Sequence, residues 1–502
     1  MESNCFPLVL SSYDRAPVNL QLCAMPVVMS ELVSAFVGRS PSPGWSDLPA
    51  DLLESVLGRL PVLDRLRFPA VCNAWRSAST ASSARVQAVD MPSPWLMLPF
   101  NPTAGGQRRD AGDDTFSEAR FLSLSDGRTY AIPQPAPAVF DRLCVGSSPD
   151  GWLVTADADS ELHLLNPLTG AQVPLPPPAT LPFVHASRDA DGRVVSYSIR
   201  CWFDDDDNGA DAAVLVPPES FAPDRLRYKL YEKAILLSAP RKRQTGSWGG
   251  YAVMLICQPL SRLAIARAGD TRWTPLDTPS RSWVDAVPAS SPVGAGGRQL
   301  VYAMDSAGRV EAWDVDVTAD ATPTTREAVA AKCCCCCSGR ACSISGACSR
   351  YVVELSPGRL LQVHRLRQEA HARYRCEPNP ERVEYATFNA EFFEWTDGDR
   401  WALVDGKNAG VLGGRALFLG KNASLCIPVD GCFELKGNCV YFTDDGPWSH
   451  DRCCEVAPDV GVLDLADGSY RLPRGAARDL LWKWPPPVWV FPSCADREYA
   501  FG

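Results

Sequence analysis

Residues 45–79 read WSDLPADLLESVLGRLPVLDRLRFPAVCNAWRSAS, and this stretch decides the architecture predicted for the amino-terminal part of the chain. Asp47 and Pro49 favour a helix start, because a side-chain acceptor and a proline with φ already fixed suit the first turn. We predict a helix over residues 49–60, ended by Pro61. Two shorter helices follow, one through residues 63–68 and one through residues 71–75. The stretch is therefore predicted to form a small three-helix unit.

The first predicted helix carries more apolar surface than two short partners are expected to cover. Its apolar residues recur at steps of one, three and four: Leu52, Leu53, Val56, Leu57 and Leu60. A unit of about 35 to 45 residues without disulfides or metal seldom buries enough surface to hold itself together. We therefore expect part of this surface to dock on another protein. The alternative is a helical hairpin packed on the rest of the chain.

A spaced motif, L-P-x-D-L-L, L-P-x-x-D-x-L and V-C-x-x-W-R, runs through the stretch and resembles the F-box. The resemblance implies that residues 45–85 bind a Skp-type adaptor and, through it, a cullin. The residues expected to make the adaptor contact are Leu48, Pro49, Leu52, Leu53, Val56, Leu57, Leu60, Pro61, Leu66, Val71, Cys72, Trp75 and Arg76. Some of them are expected to hold the three helices together instead.

Composition and charge limit what the rest of the chain does. The 502 residues are 46% hydrophobic and 22% charged, which supports a substantial core, and the net charge is −10. An acidic chain is a poor candidate for binding nucleic acid or an anionic membrane, where Lys and Arg supply the affinity. No run of 18 apolar residues predicts a membrane span. Residues 1–44 lack the pattern of a secretory signal and are predicted to be a flexible leader.

The 20 cysteines make up about 4% of the chain, below the 8 to 10% typical of short disulfide-built proteins. Several lie in strand-like runs, for example Cys201, Cys257 and Cys439, where free cysteine behaves as a small hydrophobe. Reduced thiols are typical of the cytoplasm and nucleus, which we predict as the location.

After a linker at residues 86–119, short apolar-polar alternations separated by tight turns replace the helical period. Val195, Tyr197, Ile199, Cys201 and Phe203 form the clearest single-faced strand. Further strands are predicted near residues 251, 299, 310, 351, 359 and 438. Units of strand, turn, strand and proline recur at 121–133, 162–176 and 460–473. About seven such units, within a range of six to eight, lie between residues 120 and 492 and predict a β-propeller; a large β-sandwich is the alternative.

This region resembles the plant F-box group that carries a KIB-type β-propeller, a domain of unknown function. The resemblance is carried by residues 150–154 with 166–170, 353–363, 415–424 with 437–445, and PPPVWVFPS at 485–493. It implies a multidomain α+β chain, in which an all-α F-box precedes an all-β propeller at 120–495 that recognises a target protein. Two stretches, an acidic run near 204–212 and a low-complexity segment at 319–349, are predicted to be poorly ordered insertions.

Residues with chemical potential are few. Cys333–Cys337, with Cys342 and Cys348, are the one place to expect metal, but the run lacks a second spaced pair, and an accidental low-complexity tract is favoured. Arg241–Arg243 form a short basic run, interpreted as surface rather than as a nuclear import signal. Residues 414–421, GRALFLGK, are similar to a phosphate loop but have five residues between the glycines and Asn422 at the hydroxyl position, so a buried strand is favoured. The sequence contains no G-x-S-x-G and no H-E-x-x-H motif. We therefore predict no catalytic residue, no metal site and no cofactor.

The resulting prediction is a non-catalytic substrate-recognition subunit of a Skp/cullin/F-box (SCF) ubiquitin ligase, whose propeller binds an unknown target protein. One alternative is a propeller that binds and restrains a partner such as a kinase without any adaptor. Another is a propeller enzyme or carbohydrate binder, which a cluster of carboxylates and aromatic residues at the central channel would favour.

Overall fold

The computed structural model describes two compact units, which meet in sequence between Val89 and Asp90. The residues described are 45–60, 64–65, 68–86, 94–98, 118–133, 142–200, 202–203, 214–215, 218–243, 245–276, 282–290, 298–316, 324–329, 348–370, 384–396, 400–404, 410–429, 435–445, 459–476 and 486–492. The predicted leader, most of the predicted linker and the acidic run near 204–212 lie outside these residues.

The first unit is helical. Its elements are a 3-10 turn at Trp45–Asp47, α1 (Ala50–Arg59), a 3-10 turn at Phe68–Ala70 and α2 (Asn73–Val86). α1 agrees with the helix predicted over residues 49–60. Pro49 takes its cap position, and the chain is extended at Leu60, as expected for a residue that precedes a proline. No helix among the described residues is long and apolar enough to cross a membrane.

The second unit consists mainly of short strands, β1 to β32 in chain order, and the described residues contain six sheets of four or five strands. The first is β1 (Trp95–Met97), β2 (Glu118–Ser123), β3 (Thr129–Pro133) and β32 (Val488–Val490). The second is β4 (Leu143–Ser147), β5 (Leu153–Ala156), β6 (Leu162–Leu165) and β7 (Gln172–Pro174). The third is β13 (Tyr231–Ser238), β16 (Ala252–Cys257), β17 (Arg262–Arg267) and β18 (Thr274–Pro275).

The remaining large sheets follow in sequence. The fourth is β19 (Trp283–Pro288), β20 (Arg298–Asp305), β21 (Val310–Asp316) and β22 (Thr324–Val329). The fifth is β23 (Cys348–Ser356), β24 (Arg359–Ala370), β25 (Glu384–Thr396) and β26 (Arg400–Val404). The sixth is β27 (Ala416–Leu419), β28 (Leu425–Ile427), β29 (Cys439–Phe442), β30 (Gly461–Asp464) and β31 (Tyr470–Arg471). Pairing within the six sheets is antiparallel except between β27 and β29.

Smaller elements connect the second and third sheets. They are a sheet of β8 (Val184–Arg188), β9 (Val194–Ile199) and β12 (Glu219–Phe221), the pair β10 (Trp202–Phe203) and β11 (Val214–Leu215), a 3-10 turn at Pro178–Thr180 and α3 (Pro223–Leu230). A two-stranded hairpin of β14 (Arg241–Lys242) and β15 (Trp248–Gly249) lies between β13 and β16 in sequence.

Several strands of the large sheets, among them β16, β27 and β29, are buried on both faces because neighbouring sheets pack against each other. In β16 every residue is buried, and alternate side chains enter different cores. Val253, Leu255 and Cys257 belong to a core shared with the second sheet, whereas Met254 and Ile256 belong to one shared with the fourth. Such two-sided burial produces a continuous apolar run instead of alternation.

The last strand completes the first sheet. β32 pairs with β1 in antiparallel register, Trp95 opposite Val490 and Met97 opposite Val488. Ser147 of the second sheet donates a hydrogen bond from Oγ to the Trp489 carbonyl at 2.5 Å, so β32 is also held from the neighbouring sheet. Residues far apart in sequence thus share one sheet.

Two expectations for individual strands are corrected. Tyr197 and Ile199 are buried as predicted, but Val195 is 52% exposed and the strand ends at Ile199. The pairing of β9 with β8 skips Val195, and this bulge turns the side chain outward. Within the predicted low-complexity insertion, residues 324–329 form β22, because they continue the ladder of β21; most of the remaining insertion lies outside the described residues.

The turn between β5 and β6 fixes α3 against the second sheet. Ser160 is fully buried with φ +62°, a left-handed conformation that a non-glycine residue adopts only when its surroundings hold it. Its Oγ donates to the Pro223 carbonyl at 2.5 Å and accepts from the Arg227 N–H at 2.8 Å. Its carbonyl accepts from the Tyr231 hydroxyl at 2.7 Å.

Glu161, next in this turn, should make stability depend on pH. Burial, with the charge of Asp157, raises its pKa to about 7 from an ordinary value of 4.5, although the Tyr197 hydroxyl donates to it. Because the folded state binds the proton more tightly, its stability falls as the pH rises from 4.5 through 7 and is constant above. Glu161→Gln stays neutral, so at pH 8 it should be more stable than wild type by about 1 kcal/mol after allowance for solvent screening.

Thermal unfolding of wild type and Glu161→Gln at pH 5 and pH 8 measures this effect. We expect the midpoint difference to favour the variant by roughly 1 °C more at pH 8 than at pH 5 for a domain of this size. An equal difference at both pH values would contradict the assignment. Asp189→Asn, on the exposed β8–β9 turn, is the matched control and should show no such change.

Candidate functional site

The helical unit has its own apolar core. It consists of Leu53, Val56 and Leu57 from α1, Leu60 directly after α1, Phe68 from the 3-10 turn, and Trp75 and Ala78 from α2. The Phe68 and Trp75 rings lie 4.4 Å apart. Trp75 Nε1 donates to the Trp45 carbonyl at 2.9 Å, which joins the first turn of the unit to α2.

Burial divides the predicted adaptor-contact residues into four groups. Leu53, Val56, Leu57, Leu60 and Trp75 are buried. Leu48, Leu52, Val71 and Cys72 are partly buried. Pro49 and Arg76 are exposed, whereas Pro61 and Leu66 lie outside the described residues.

The sequence predicts that the two short helices leave the apolar residues of the first helix uncovered. This prediction is wrong for four of the five residues concerned. Leu53 is 1% exposed and Leu60 is 9% exposed, because the ring pair of Phe68 and Trp75 packs with them in one core. Two large aromatic side chains cover far more area than their short helical segments suggest. Of the five predicted apolar residues, Leu52 is the one that keeps appreciable surface. Direct adaptor contact by any of the thirteen residues stays a prediction.

Trp45 is a surface residue that the sequence prediction missed. Its side chain is 50% exposed, although its carbonyl is fixed by Trp75. Exposed tryptophans are enriched among residues that dominate protein interfaces. The signal was available, since a tryptophan opens the motif stretch at a position where no apolar period requires one.

Two arginines brace the unit. Arg65 Nε donates to the Leu60 carbonyl at 2.8 Å and Arg65 Nη2 to the Gly58 carbonyl at 3.0 Å. The cationic Arg65 side chain therefore supplies donors to carbonyl groups at the carboxyl end of α1. Arg76 Nε donates to the Pro69 carbonyl at 3.3 Å. Arg76 therefore links α2 to the 3-10 turn, a structural role beside the predicted adaptor contact.

Family comparison identifies both units. A model of the KIB1-4 beta-propeller family matches residues 121–464, more than half of the chain. The chain belongs to the KIB1-4 beta-propeller family. An F-box domain model matches residues 45–84. The described sheets are consistent with a KIB1-4 propeller preceded by an F-box, and the predicted number of blades stays a prediction.

Relatives of this KIB1-4 protein include F-box proteins of Arabidopsis thaliana. The F-box/kelch-repeat protein At1g57790 is 33% identical over 133 residues, 26% of this chain and 32% of its own length. The F-box protein At3g56470 is 34% identical over 131 residues, 26% of this chain and 30% of its own length. The chain thus spans about a third of the length of the relatives it matches.

Solved structures give weaker likenesses. The WD40 domain of SCAP from fission yeast covers 51% of this chain and 60% of its own, with 9% identity and a TM-score of 0.20. YCF48 bound to D1 peptide covers 63% of this chain and 85% of its own, with 9% identity and a TM-score of 0.22. Scores this low support no inference about fold or function.

A buried ion pair joins four sheets of the propeller. Lys233 Nζ of β13 lies 2.7 Å from Asp285 Oδ1 of β19, and both side chains are buried. Asp285 Oδ2 accepts from the Val352 N–H of β23 at 3.1 Å and from Ser424 Oγ, beside β28, at 2.7 Å. Both carboxylate oxygens therefore have protein partners, and the cluster is built to hold sheets together.

A second buried network ties the fifth sheet to the sixth. Arg365 is 1% exposed, donates to Asp459 Oδ2 at 2.7 Å and to the Thr443 carbonyl at 2.7 Å, and lies 4.2 Å from the Phe442 ring. Burial opposes ionisation of nearby Asp445, yet Arg367 and Arg365 hold its pKa well below the ordinary range. Carboxylates and an aromatic ring lie close together in this network, but the carboxylates already form ion pairs with Arg365 and Arg367.

The described residues show neither a metal-binding cluster nor a phosphate loop. No group of three or more His, Cys, Asp and Glu side chains there could hold a metal, and the cysteine run at 333–337 lies outside them. Burial, with the charge of Arg350, lowers the pKa of His364 to about 3, so this histidine is neutral near pH 7. Residues 416–419, inside a phosphate-loop-like stretch, form the fully buried strand β27.

Proposed function

We propose that this KIB1-4 protein is the substrate-recognition subunit of a Skp/cullin/F-box ubiquitin ligase. The F-box match over residues 45–84 carries the proposal. It is supported by the surface that the helical unit retains at Trp45, Pro49 and, in part, Leu48 and Leu52, close to its own sealed core. A Skp-type adaptor is the partner of such a unit, and the cullin follows through that adaptor.

The propeller is proposed to bind the target protein and to perform no covalent chemistry. Its buried charges are engaged between sheets, as Asp285 and Arg365 illustrate, so they support a rigid scaffold. Holding a target beside a ubiquitin-transferring enzyme raises the effective concentration of its lysines, which accelerates transfer without a catalytic residue in the receptor.

A reducing compartment, the cytoplasm or the nucleus, is the proposed location. Cys144 and Cys439 are buried free thiols. Burial raises the pKa of Cys144 to about 12 and that of Cys439 to about 11, so both remain protonated and unreactive. Such thiols act as packing residues and require no oxidising environment.

Replacing Leu48 and Pro49 together with Ala tests the adaptor contact. Pro49 is exposed, and Leu48 is partly exposed and packs at the border of the core, whose buried residues stay in place. The variant should therefore fold and bind a purified Skp-type adaptor at least about tenfold more weakly. The matched control is Leu403→Ala, which removes a 62% exposed leucine from β26 of the propeller. Adaptor affinity is measured on the full chain by biolayer interferometry.

Unchanged adaptor affinity of Leu48→Ala/Pro49→Ala would reject the proposed contact residues. Failure of the wild-type chain to bind any Skp-type adaptor or to copurify with a cullin would reject the ligase proposal itself. That second result would favour a propeller that restrains its partner without an adaptor.

A further inference from the structure

A basic hairpin projects from the third sheet of the propeller. β14 and β15 pair with Arg241 opposite Gly249 and Lys242 opposite Trp248. The Arg243 N–H donates to the Ser247 carbonyl at 2.8 Å, and the Gly246 N–H donates to the Arg243 carbonyl at 2.9 Å. Gly246 has φ +81°, which glycine adopts without strain.

The base of this hairpin is anchored. The Trp248 ring meets the Trp152 ring edge-on at 5.3 Å, and Trp152 is 1% exposed in the core of the second sheet. Ser238 Oγ, at the end of β13, donates to the Gly250 carbonyl at 2.8 Å. An element held at its base loses little conformational entropy when its outer side chains engage a partner.

Three consecutive cationic side chains lie on the hairpin. Arg241 and Arg243 are exposed and Lys242 is partly exposed. Among the residues that the structure describes, none of the three forms an ion pair within 4 Å. Burial raises the pKa of the Asp150 carboxyl and the charge of Arg241 lowers it, so Arg241 has one acidic neighbour, whereas no acidic neighbour is described for Lys242 and Arg243. The Arg243 side chain lies across Gly249, where a Cβ would be 2.3 Å from Nε. The absence of a side chain at Gly249 therefore allows the guanidinium to pack against the backbone.

The hairpin of β8 and β9, in the same unit, is balanced in charge because its arginines have aspartates beside them. The turn between β8 and β9 carries exposed Arg188 and Arg193, but Asp189 and Asp191 stand between them in sequence. Arg188 Nη1 is also committed to the Gly192 carbonyl at 2.7 Å. Against this turn, and against a chain of net charge −10, the Arg241–Arg243 hairpin is a local concentration of positive charge.

We propose that the Arg241–Gly249 hairpin contacts the target protein and binds an acidic stretch of its polypeptide. The inference rests on the proposed function, because it assigns the hairpin to target recognition by the receptor. Guanidinium groups bind carboxylates through paired hydrogen bonds, which favours Asp and Glu side chains as ligands.

The charge of the whole chain favours a peptide over an extended polyanion. Nucleic acid and anionic membranes present charge over lengths greater than the Debye length of about 8 Å at physiological salt, so they meet the acidic remainder of the protein as well. A short acidic segment contacts the three cations of the hairpin without extending over the acidic remainder of the protein.

The test measures binding of the full chain to a fluorescein-labelled peptide of four alternating Asp and Glu residues, whose extended length of about 13 Å matches the three cations of the hairpin. A four-residue Asn-Gln peptide is the neutral probe. Fluorescence anisotropy should show binding to the acidic peptide that weakens with added salt. Arg241→Glu/Arg243→Glu should reduce it about tenfold or more. The matched control Arg188→Glu/Arg193→Glu makes the same change of net charge on the balanced hairpin and should stay within about twofold of wild type.

Equal losses in the two double variants would overturn the proposal, because net charge alone would then explain the binding. Tighter binding of the wild type to a single-stranded oligonucleotide or to phosphatidylserine vesicles than to the acidic peptide would overturn the assigned partner class. If the glutamate variant unfolds, Arg241→Gln/Arg243→Gln replaces it, with the thermal midpoint as the check.

Adaptor affinity measured on the same proteins separates the two proposals. A hairpin variant that binds the adaptor normally and loses the acidic peptide supports the inference. Peptide binding unaffected by the variant, with adaptor binding intact, rejects the hairpin and leaves the ligase proposal standing. A wild-type chain that binds the peptide through the hairpin but no adaptor rejects the ligase role.

Discussion

Asp285→Ala is expected to destabilise the propeller by about 3 to 5 kcal/mol, because it leaves the Lys233 ammonium buried without a counterion. The change also removes the acceptor of the Val352 N–H and Ser424 Oγ, so strands of four sheets lose a common attachment. For about 400 residues this corresponds to a fall of roughly 4 to 6 °C in the midpoint of the propeller transition. Differential scanning calorimetry of the full chain measures it.

Glu394→Ala is the control for the loss of a charge pair. Glu394 pairs with Arg359, a side chain that is 51% exposed, and such surface pairs contribute at most about 1 kcal/mol. Lys233→Met/Asp285→Leu replaces the buried pair by apolar side chains and should recover much of the lost stability. A Tm for Asp285→Ala equal to that of Glu394→Ala would show that the buried pair does not join the sheets.

Trp75→Ala is expected to unfold the helical unit while the propeller remains folded. Truncation of a buried tryptophan costs about 3 to 5 kcal/mol, and here it removes the partner of Phe68 and the hydrogen bond to Trp45. A unit of about 40 residues has only about 2 to 6 kcal/mol of stability to lose. Hydrogen exchange followed by mass spectrometry should show loss of amide protection in α1 and α2, with protection in β16 and β24 unchanged.

Ser77→Ala is the control in the same helix, because Ser77 is exposed and its removal leaves the core intact. It should retain protection in α1 and α2. Retained protection in Trp75→Ala would mean that the ring pair does not hold the unit together. The comparison also separates two ways of losing adaptor binding, since Leu48→Ala/Pro49→Ala removes surface while Trp75→Ala removes the fold.

The sequence predicted both units because their signals are local. The apolar period of residues 52–60 and the proline at 61 define α1, and its predicted bounds agree closely with those observed. Strand-like runs near residues 251, 299, 310, 351, 359 and 438 coincide with β16, β20, β21, β23, β24 and β29. Apolar runs buried on both faces are recognised without any knowledge of their neighbours.

Features that depend on distant residues were not predicted. The bulge at Val195 is a property of the pairing of β9 with β8. The burial of Leu53 and Leu60 depends on the rings of Phe68 and Trp75. The strand at 324–329 forms on an edge that β21 offers. Likewise, no local pattern identifies Lys233 and Asp285 as partners, because 52 positions of sequence and a sheet boundary separate them.

The pairing of β32 with β1 has a consequence for synthesis on the ribosome. Residues 98–487 separate β1 from its antiparallel neighbour β32, so one edge of β1 stays open while these residues are translated. An unpaired strand edge promotes association with other chains, so we expect holding chaperones to protect β1 until β32 has been translated. Nonsense alleles that stop before Val488 would leave that edge permanently unsatisfied.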